Sequence, residues 1–384
     1  GLTKEACLKA IADAGLSVGD IDGLITSAET RAEQTWAPRP YFDPPYDTED
    51  GLIKASADWI QKELGFKNVK YLKSDAPYIG PMMGQAAQAV GDGLCETALV
   101  WYPMVNLEGR YGHNNPQNSN EEAPGSSAFT LPWGYQSGAM FNNLVIFQQY
   151  CKKYGKSHEG LAPLCLNLRR NGLMTPWGYY AMHEPHQLTT DDYLNGRMIE
   201  EPLVIFDCDR PVNTCGAFIF TTAERAKDLR QKPVYVLNHA QNTGKGRSTM
   251  STLEEHQEAV SSLARKMWEG SGLGAADVDI FNPYDGYLTF TQQFLEGFQW
   301  HGVKFGEAHD FYADDIRVEG PHPFLSSGGN NGTGRNRSVL YSDSIQQLRG
   351  TAGPRQVTVR ADTALAGCNT PDSNGFIMFS KHPS

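Results

Sequence analysis

The chain reads as an α/β protein built from two duplicated halves, the first of which carries a long insertion. Three observations predict this. Strand-like and helix-like segments alternate along most of its 384 residues, the pattern of α/β layering with crossover connections. One helix–Gly–strand unit recurs at a constant offset. A segment of unlike composition, about 104–200, interrupts the first half.

The first copy of the recurring unit is LTKEACLKAIADAGLSVGDIDGLI. Leu8, Ile11, Ala12 and Leu16 fall at helical spacing behind Thr3 as N-cap, Gly15 ends the helix, and IDGLI reads as a short buried strand. The second copy, STLEEHQEAVSSLARKMWEGSGLGAADVDIF (251–281), opens with a capping-box spacing from Ser251 to Glu254. Gly15 matches Gly272, Leu16 matches Leu273, Asp20 matches Asp277 and Asp22 matches Asp279, all 257 residues apart (272 − 15, 279 − 22). Four identities at one offset, in one local structure, indicate duplication. The predicted halves are 1–231 and 232–384.

The first half continues with a helix over 51–64, a strand at 68–72, the small-residue helix PMMGQAAQAVGDG (81–93) and the apolar strand TALVWYP (97–103). It closes on LVIFD (203–207) or CGAFIFTT (215–222). The second half starts at KPVYVLNHA (232–240) and runs through the helix FTQQFLEGFQW to the Gly-rich stretch PHPFLSSGGNNGTGRNRS (321–338). The helix SVLYSDSIQQL and the strands QVTVRAD and NGFIMFS complete it. The insertion begins Gly/Asn/Pro-rich and carries Trp133, Tyr135, Trp177, Tyr179 and Tyr180. It reads as a surface excursion with a subunit interface, as a lid on a large apolar pocket, or as both.

Composition narrows the function. An apolar fraction of 40% and a charged fraction of 20% are those of a folded globular protein. The net charge of −11, from 33 basic against 44 acidic residues, argues against a nucleic-acid platform. No apolar run approaches the ~18 residues of a membrane span. The seven cysteines are scattered without a CxxC pair, and the ten histidines contain no HxxxH. We therefore expect a reduced, cytoplasmic protein with no metal site of its own. The stretch GGNNGTGR lacks GK[ST] and does not follow a predicted strand into a βαβ unit, so it is not a phosphate cradle. A packed segment (Leu340, Ile345, Leu348) follows directly, so it is not a linker either. Gly328, Gly329, Gly332 and Gly334 permit positive φ and close approach of N–H groups, which suits an oxyanion hole.

Four segments, spread over essentially the whole chain, resemble the thiolase superfamily in its sterol-carrier-protein-X and lipid-transfer-protein branch. They are AGLSVGDIDGLI, the helix AAQAVGDG, DCDRPVNTCGAFIFTTAERA (207–226), and PYDGYLTF together with GGNNGTGR. The last two stand where the branch has its HDCF and GG-x4-GH loops. The resemblance implies the five-layered αβαβα fold, an acyl-CoA ligand and a strand-bearing segment ahead of the first helix. It also exposes departures. The family's nucleophilic cysteine falls on Ala76, which cannot form an acyl-enzyme. The histidine of GG-x4-GH falls on Arg335, which is permanently charged and no base. The late cysteine falls on Leu365, with Cys368 inside an expected Gly-rich turn at 367–369. Condensation or thiolysis by the usual route is therefore not expected.

Within that branch, the proteins lacking the cysteine resemble the aldolases that shorten steroid side chains. The implied reaction is retro-aldol cleavage of a β-hydroxyacyl-CoA with a bulky side chain, giving a ketone and a short acyl-CoA without a covalent Cys intermediate. Tyr284 stands at the histidine of HDCF and is the implied acid/base; its phenol, ordinarily near pKa ~10, needs a neighbouring cation, which Arg335 would supply if the two loops meet, or an apolar pocket with hydrogen-bond donors. A second tyrosine is implied, and Tyr341 is the one close by, with Arg335 itself or Asn331 as alternatives. Asp285 is a base or a turn residue, and His322 a further candidate. Ala76, Asp285, Gly328, Gly329, Asn330 and Asn331 are the implied substrate contacts. The CoA thioester is the substrate, and no cofactor or metal is implied. The implied partners are a second copy and a small OB-fold/zinc-ribbon protein that binds the CoA end, making a heterotetramer. The competing reading is a non-catalytic acyl-CoA- or lipid-binding subunit of a larger complex.

Overall fold

The structure is a computed structural model that describes residues 1–31, 52–105, 139–242 and 252–383. The chain opens with α1 (Leu2–Ala14), β1 (Gly23–Ile25), β2 (Thr30–Arg31), β3 (Leu52–Lys54), α2 (Ala57–Leu64) and β4 (Tyr71–Lys73). Next come α3 (Ile79–Gly91), β5 (Thr97–Met104), α4 (Ala139–Tyr154), α5 (Ala162–Leu173), α6 (Tyr179–His183) and α7 (Thr190–Leu194). After β6 (Met198–Glu200) and β7 (Leu203–Val204) the chain forms β8 (Thr214–Thr221), α8 (Ala223–Ala226) and β9 (Tyr235–Asn242). It continues with α9 (Leu253–Ser271), β10 (Ile280–Asn282), α10 (Leu288–Gly297), α11 (Ala308–Tyr312) and α12 (Gly329–Thr333). The last elements are α13 (Val339–Arg349), β11 (Thr363–Thr370) and β12 (Ser373–Ser380).

Two four-stranded mixed sheets organise these elements, in the orders β4-β1-β5-β8 and β10-β11-β12-β9. In the first, β1 runs parallel to β4 and β5, and β8 antiparallel to β5. In the second, β10 and β11 are parallel while β12 is antiparallel to both β11 and β9. Helix α3 lies between the sheets, touching β5 and β8 on one side and β9 and β12 on the other, and α13 packs on the second sheet beside it. Helices α1 and α2 cover the outside of the first sheet; α9, with α10 against it, covers the second. The result is the five-layered αβαβα arrangement.

The duplication is physical as well as textual. Gly15 and Gly272 end α1 and α9 in the left-handed conformation, at φ 77° and 70°, where a Cβ is penalised. The Asp20 carboxylate accepts the Ser17 N–H, and Asp277 accepts that of Gly274, each closing a single 3₁₀ turn. Asp22 then accepts the N–H groups of Glu96 and Thr97, and Asp279 those of Asp362 and Thr363. Each aspartate so fastens a three-residue strand to the central strand of its own sheet.

Several boundaries differ from expectation for identifiable reasons. Helix α1 begins at Leu2, placing Thr3 inside it. Helix α9 is capped by the Thr252–Glu255 box one residue beyond the expected one; Ser251 lies outside the described residues. In LVIFD only Leu203 and Val204 are strand, because Asp207 accepts the Val204 N–H (2.6 Å) and bends 205–207 into a 3₁₀ turn. QVTVRAD is not a strand: the Gln347 side chain donates to Arg355 O and accepts the Val357 N–H, leaving no ladder partners at its start. The strand is instead β11, and the turn falls at Pro371–Asp372, so Cys368 is a buried strand residue rather than part of a turn.

Trp133 and Tyr135 lie outside the described residues. The described part of the insertion is a packing layer for the second half. Asn167 Nδ2 donates to Ile316 O and Phe324 O, Asn171 Nδ2 to Leu325 O, and Thr175 Oγ1 to Ser327 O. Helix α5 meets α12 backbone to backbone: a Cβ on Gly172 would collide with Gly332 O, and one on Gly332 with Leu168 O. Gly332 is therefore required by proximity and not by positive φ. Gly172→Ala should force the two helices apart and lower stability by about 1–3 kcal/mol in a urea titration, the usual cost of overpacking. An unchanged midpoint would mean that the contact is not close.

Candidate active site

Tyr284 leaves the end of β10, and the surrounding residues are fixed by a buried carboxylate. Asn282, the last residue of that strand, donates through Nδ2 to Ser344 Oγ (2.9 Å) and Asp343 Oδ2 (3.3 Å). Asp343 also accepts from Ser326 Oγ and pairs with Arg355, and both residues of that pair are buried. One carboxylate therefore joins the strand end, the start of the Gly-rich stretch and α13. Two residues after Asn282 comes Tyr284, 3% exposed, and then Asp285, fully buried.

Asp285 has a structural task. It accepts the Asn330 N–H (2.8 Å), Asn330 Nδ2 (2.9 Å) and the Asn331 N–H (2.9 Å), capping the first turn of α12. Gly329 must be glycine because a Cβ there would strike the Asp285 carboxylate. The N–H of Gly328 goes to Leu325 O, of Gly329 to Ser327 Oγ, of Gly332 to Gly328 O and of Gly334 to Asn330 O. Asn331 Nδ2 donates to Phe206 O and Cys208 O. The expectation that Gly328, Gly329, Gly332 and Gly334 offer their N–H groups to an oxyanion hole is thus corrected: all four are consumed in folding the loop onto itself. The left-handed residues Gly328, Gly329 and Gly334 serve that fold.

The loop delivers two guanidinium groups. Arg335 is held through its backbone, N–H to Arg210 O at 2.7 Å, in a bridge to Pro211. Arg337, at φ 56°, donates its N–H to Asn330 Oδ1 (2.6 Å). Its guanidinium lies 5.6 Å from the Tyr284 ring centre, and Nη1 donates to Tyr102 Oη (3.3 Å). Asp209 also borders the phenol; it is 6% exposed, and its N–H donates to Gly286 O (3.0 Å). A Cβ built on Gly286 would collide with Tyr284 Oη and come within 2.7 Å of Asp209 Oδ2, so phenol and carboxylate flank one glycine.

The electrostatics follow from burial. Tyr284 is pushed well above the ordinary phenol range, first by burial and then by Asp209, while Arg337 and Arg335 oppose the shift. This corrects the expected balance: the cations are present, yet the resting phenol is neutral. Cys368 is pushed up to about 12 by burial against the same two arginines, so it is a thiol. Asp285 is raised to about 7 by burial, despite its three donors.

The remaining candidates separate. Tyr341, fully buried, donates to Gly375 O (2.9 Å) and borders the cluster through Cys368, Tyr78 and Arg337. Ala76 is buried in the core two residues ahead of Tyr78. His322 packs against His301 at 4.5 Å and Phe311 at 5.9 Å. Sequence reasoning missed Arg337 and Asp209. The first was readable only as the second arginine of RNR, the second only as part of an aspartate-rich turn.

With this geometry in place the relatives can be compared. The thiolase C-terminal domain-like family model matches residues 241–375. The 17-hydroxy-3-oxo-4-pregnene-20-carboxyl-CoA lyase of Mycobacterium tuberculosis is 29% identical over 95% of this chain and 91% of its own length. The chain has a thiolase-like fold and is similar to such proteins over nearly its whole length. A steroid side-chain-cleaving aldolase from Thermomonospora curvata is 25% identical over 98% of this chain and 92% of its own. Among solved structures, the Ltp2-ChsH2(DUF35) aldolase superposes with a TM-score of 0.77 at 24% identity, covering 99% of this chain and 92% of that one. A monomeric SCP2-thiolase-like protein from Mycobacterium smegmatis superposes at 0.65 with 15% identity, covering all of this chain and 74% of its own. Among the described residues no helix is long and apolar enough to cross a membrane, and no cluster of three or more His, Cys, Asp or Glu side chains is placed to hold a metal ion.

The Asp285 carboxyl links the loop to pH. Its folded pKa lies above the ~3.9 of an unfolded aspartate, so the stability it contributes is complete below that value and is lost as pH rises through about 7. Between about pH 5 and about pH 8, wild type should lose on the order of 2 kcal/mol relative to Asp285→Asn in urea unfolding. A difference between the two proteins that stays flat across this range contradicts the assignment.

Proposed function

We propose that this protein catalyses retro-aldol cleavage of a β-hydroxyacyl-CoA bearing a bulky, steroid-type side chain, releasing a ketone and a short acyl-CoA. The observation that carries the reading is Tyr284, buried, with the Arg337 guanidinium 5.6 Å from its ring and the charges of Arg335 and Asp209 acting on it; the resemblance puts Ala76 where a thiolase has its nucleophile. A covalent route has no support from Cys368, which burial keeps as a thiol. The names of the Mycobacterium and Thermomonospora relatives supply the substrate class.

In this reaction the β-hydroxyl loses its proton and its oxygen becomes the ketone carbonyl. The Cα–Cβ electron pair passes into the thioester as an enolate, and Cα is then protonated. Tyr284 contacts the β-hydroxyl. Arg337 and Arg335 supply fixed positive charge to the enolate, as pre-arranged charge in a dry site does. Tyr341 has its hydroxyl committed to Gly375 O and takes a supporting place. The thioester carries the chemistry, so no cofactor is required. A small OB-fold/zinc-ribbon partner would hold the CoA end of the substrate. A second copy of the chain would complete a cytoplasmic heterotetramer.

The test is turnover of a β-hydroxyacyl-CoA panel by the chain co-purified with such a partner. Tyr284→Phe should lower kcat by about 10²–10⁴, the range for a lost general acid/base, and Arg337→Met should lower it further than KM changes. Wild-type rates in Tyr284→Phe would overturn the mechanism. Tight CoA-ester binding with no turnover would establish a non-catalytic subunit instead.

A further inference from the structure

Tyr284 as described above presents a chemical problem: a neutral buried phenol is a donor, and the first step needs an acceptor. Resting on the reaction proposed above, we infer that Asp209 is the terminal proton acceptor behind Tyr284, a positioning residue through which the phenol works as a base. The substrate O–H bond breaks as its proton passes to Tyr284 Oη, while the proton already on Tyr284 passes to Asp209. The substrate oxygen's electron pair forms the C=O bond, the Cα–Cβ bond breaks, and its pair enters the enolate. Returning the proton from Asp209 through Tyr284 to Cα restores the resting enzyme, so no proton is gained or lost overall. No phenolate ever has to exist as a free species, which suits a group that burial holds neutral.

The placement supports this. Tyr284 Oη and Asp209 Oδ2 converge on the same small volume beside Gly286. Segment 207–211 is locked against 284–287 and 330–335 by the Asp209 N–H to Gly286 O, the Cys208–Tyr287 bridge, Asn331 Nδ2 to Cys208 O, and the Arg335 N–H to Arg210 O. Asp207, two residues earlier, makes a useful contrast. It accepts from Tyr193 Oη (2.5 Å) and the Val204 N–H (2.6 Å) and meets His158 Nε2 at 2.8 Å. That carboxylate holds α7 and the 3₁₀ turn, whereas Asp209 is, after burial, the largest influence on the Tyr284 phenol. The same segment thus supplies one aspartate to structure and one to the phenol.

The experiment uses the complex with its CoA-binding partner and the variants Asp209→Asn and Asp209→Glu. Asp209→Asn should lower kcat about 100-fold with KM within about threefold, and should abolish the acidic limb of the kcat–pH profile. Asp209→Glu should restore part of that limb. A kcat within threefold of wild type in Asp209→Asn overturns the inference. A second reading does not depend on aldol turnover. Tyrosinate absorbance of Tyr284, isolated by subtracting Tyr284→Phe, should appear at lower pH in Asp209→Asn, because a facing negative charge has been removed. An unmoved titration overturns the inference even if no substrate is ever found. Absent turnover with a shifted titration would instead reject the proposed reaction while leaving the Tyr284–Asp209 coupling in place. Should Asp209→Asn not fold, a proton inventory on wild type decides: two protons in flight support the relay, one overturns it.

Discussion

Everything in the candidate site depends on one carboxylate accepting three N–H bonds. Asp285 holds Asn330 and Asn331, and through them the turn of α12. The side chain of Asn330 then receives the N–H of Arg337 and so sets the left-handed kink that swings the guanidinium over Tyr284. The amide of Asn331 reaches the carbonyls of Phe206 and Cys208 and brings Asp209 alongside. Two of the charges around Tyr284, those of Arg337 and Asp209, thus descend from its immediate neighbour in sequence. A buried carboxylate is costly unless its oxygens are satisfied, and here satisfying them is what shapes the loop.

This arrangement changes the meaning of the glycines. In thiolase-type reasoning a GG-x4-G loop suggests amides turned towards a ligand. Here the amides turn inward, and Gly328, Gly329 and Gly332 exist because another backbone or a carboxylate occupies the space where a Cβ would be. On the match that the resemblance implies, Arg335 stands where such a loop has its basic histidine, which fits this shift. The loop contributes charge by way of its arginines, in place of hydrogen-bond donors from its backbone.

The sequence disclosed the frame well and the site in part, and the division is physical. Gly15, Gly272, Asp22 and Asp279 act on backbone within their own unit, so their spacing repeats and can be read. Tyr284 could be reached because its position in a loop resembles that of a known catalytic residue. Arg337 and Asp209 act across 128 residues of chain, and nothing local to RNR or DCDRP says that they will share a phenol. The layer made by α5 was hidden for a similar reason: Asn167, Asn171 and Thr175 are polar residues that look exposed in sequence, yet they are buried as donors to carbonyls of the other half.

Burial explains why the chemistry suited to this site differs from that of a thiolase. A thiolase needs a thiolate, and the burial that keeps Cys368 near 12 opposes one. The same burial holds Tyr284 neutral and brings Asp285 to the edge of protonation. With Asp285 half-charged at neutral pH, the cluster of Arg335, Arg337, Asp209 and Asp285 carries a net positive balance before any substrate enters. An enolate is the charge that would neutralise it. In the proposed reaction, with little water to screen these buried charges, the arginines would act on a transient anion more strongly than on a neutral thioester. This selective effect is what lowers a barrier, since uniform binding does not. The site therefore favours a step that creates negative charge on the substrate and disfavours one that must first create it on the protein.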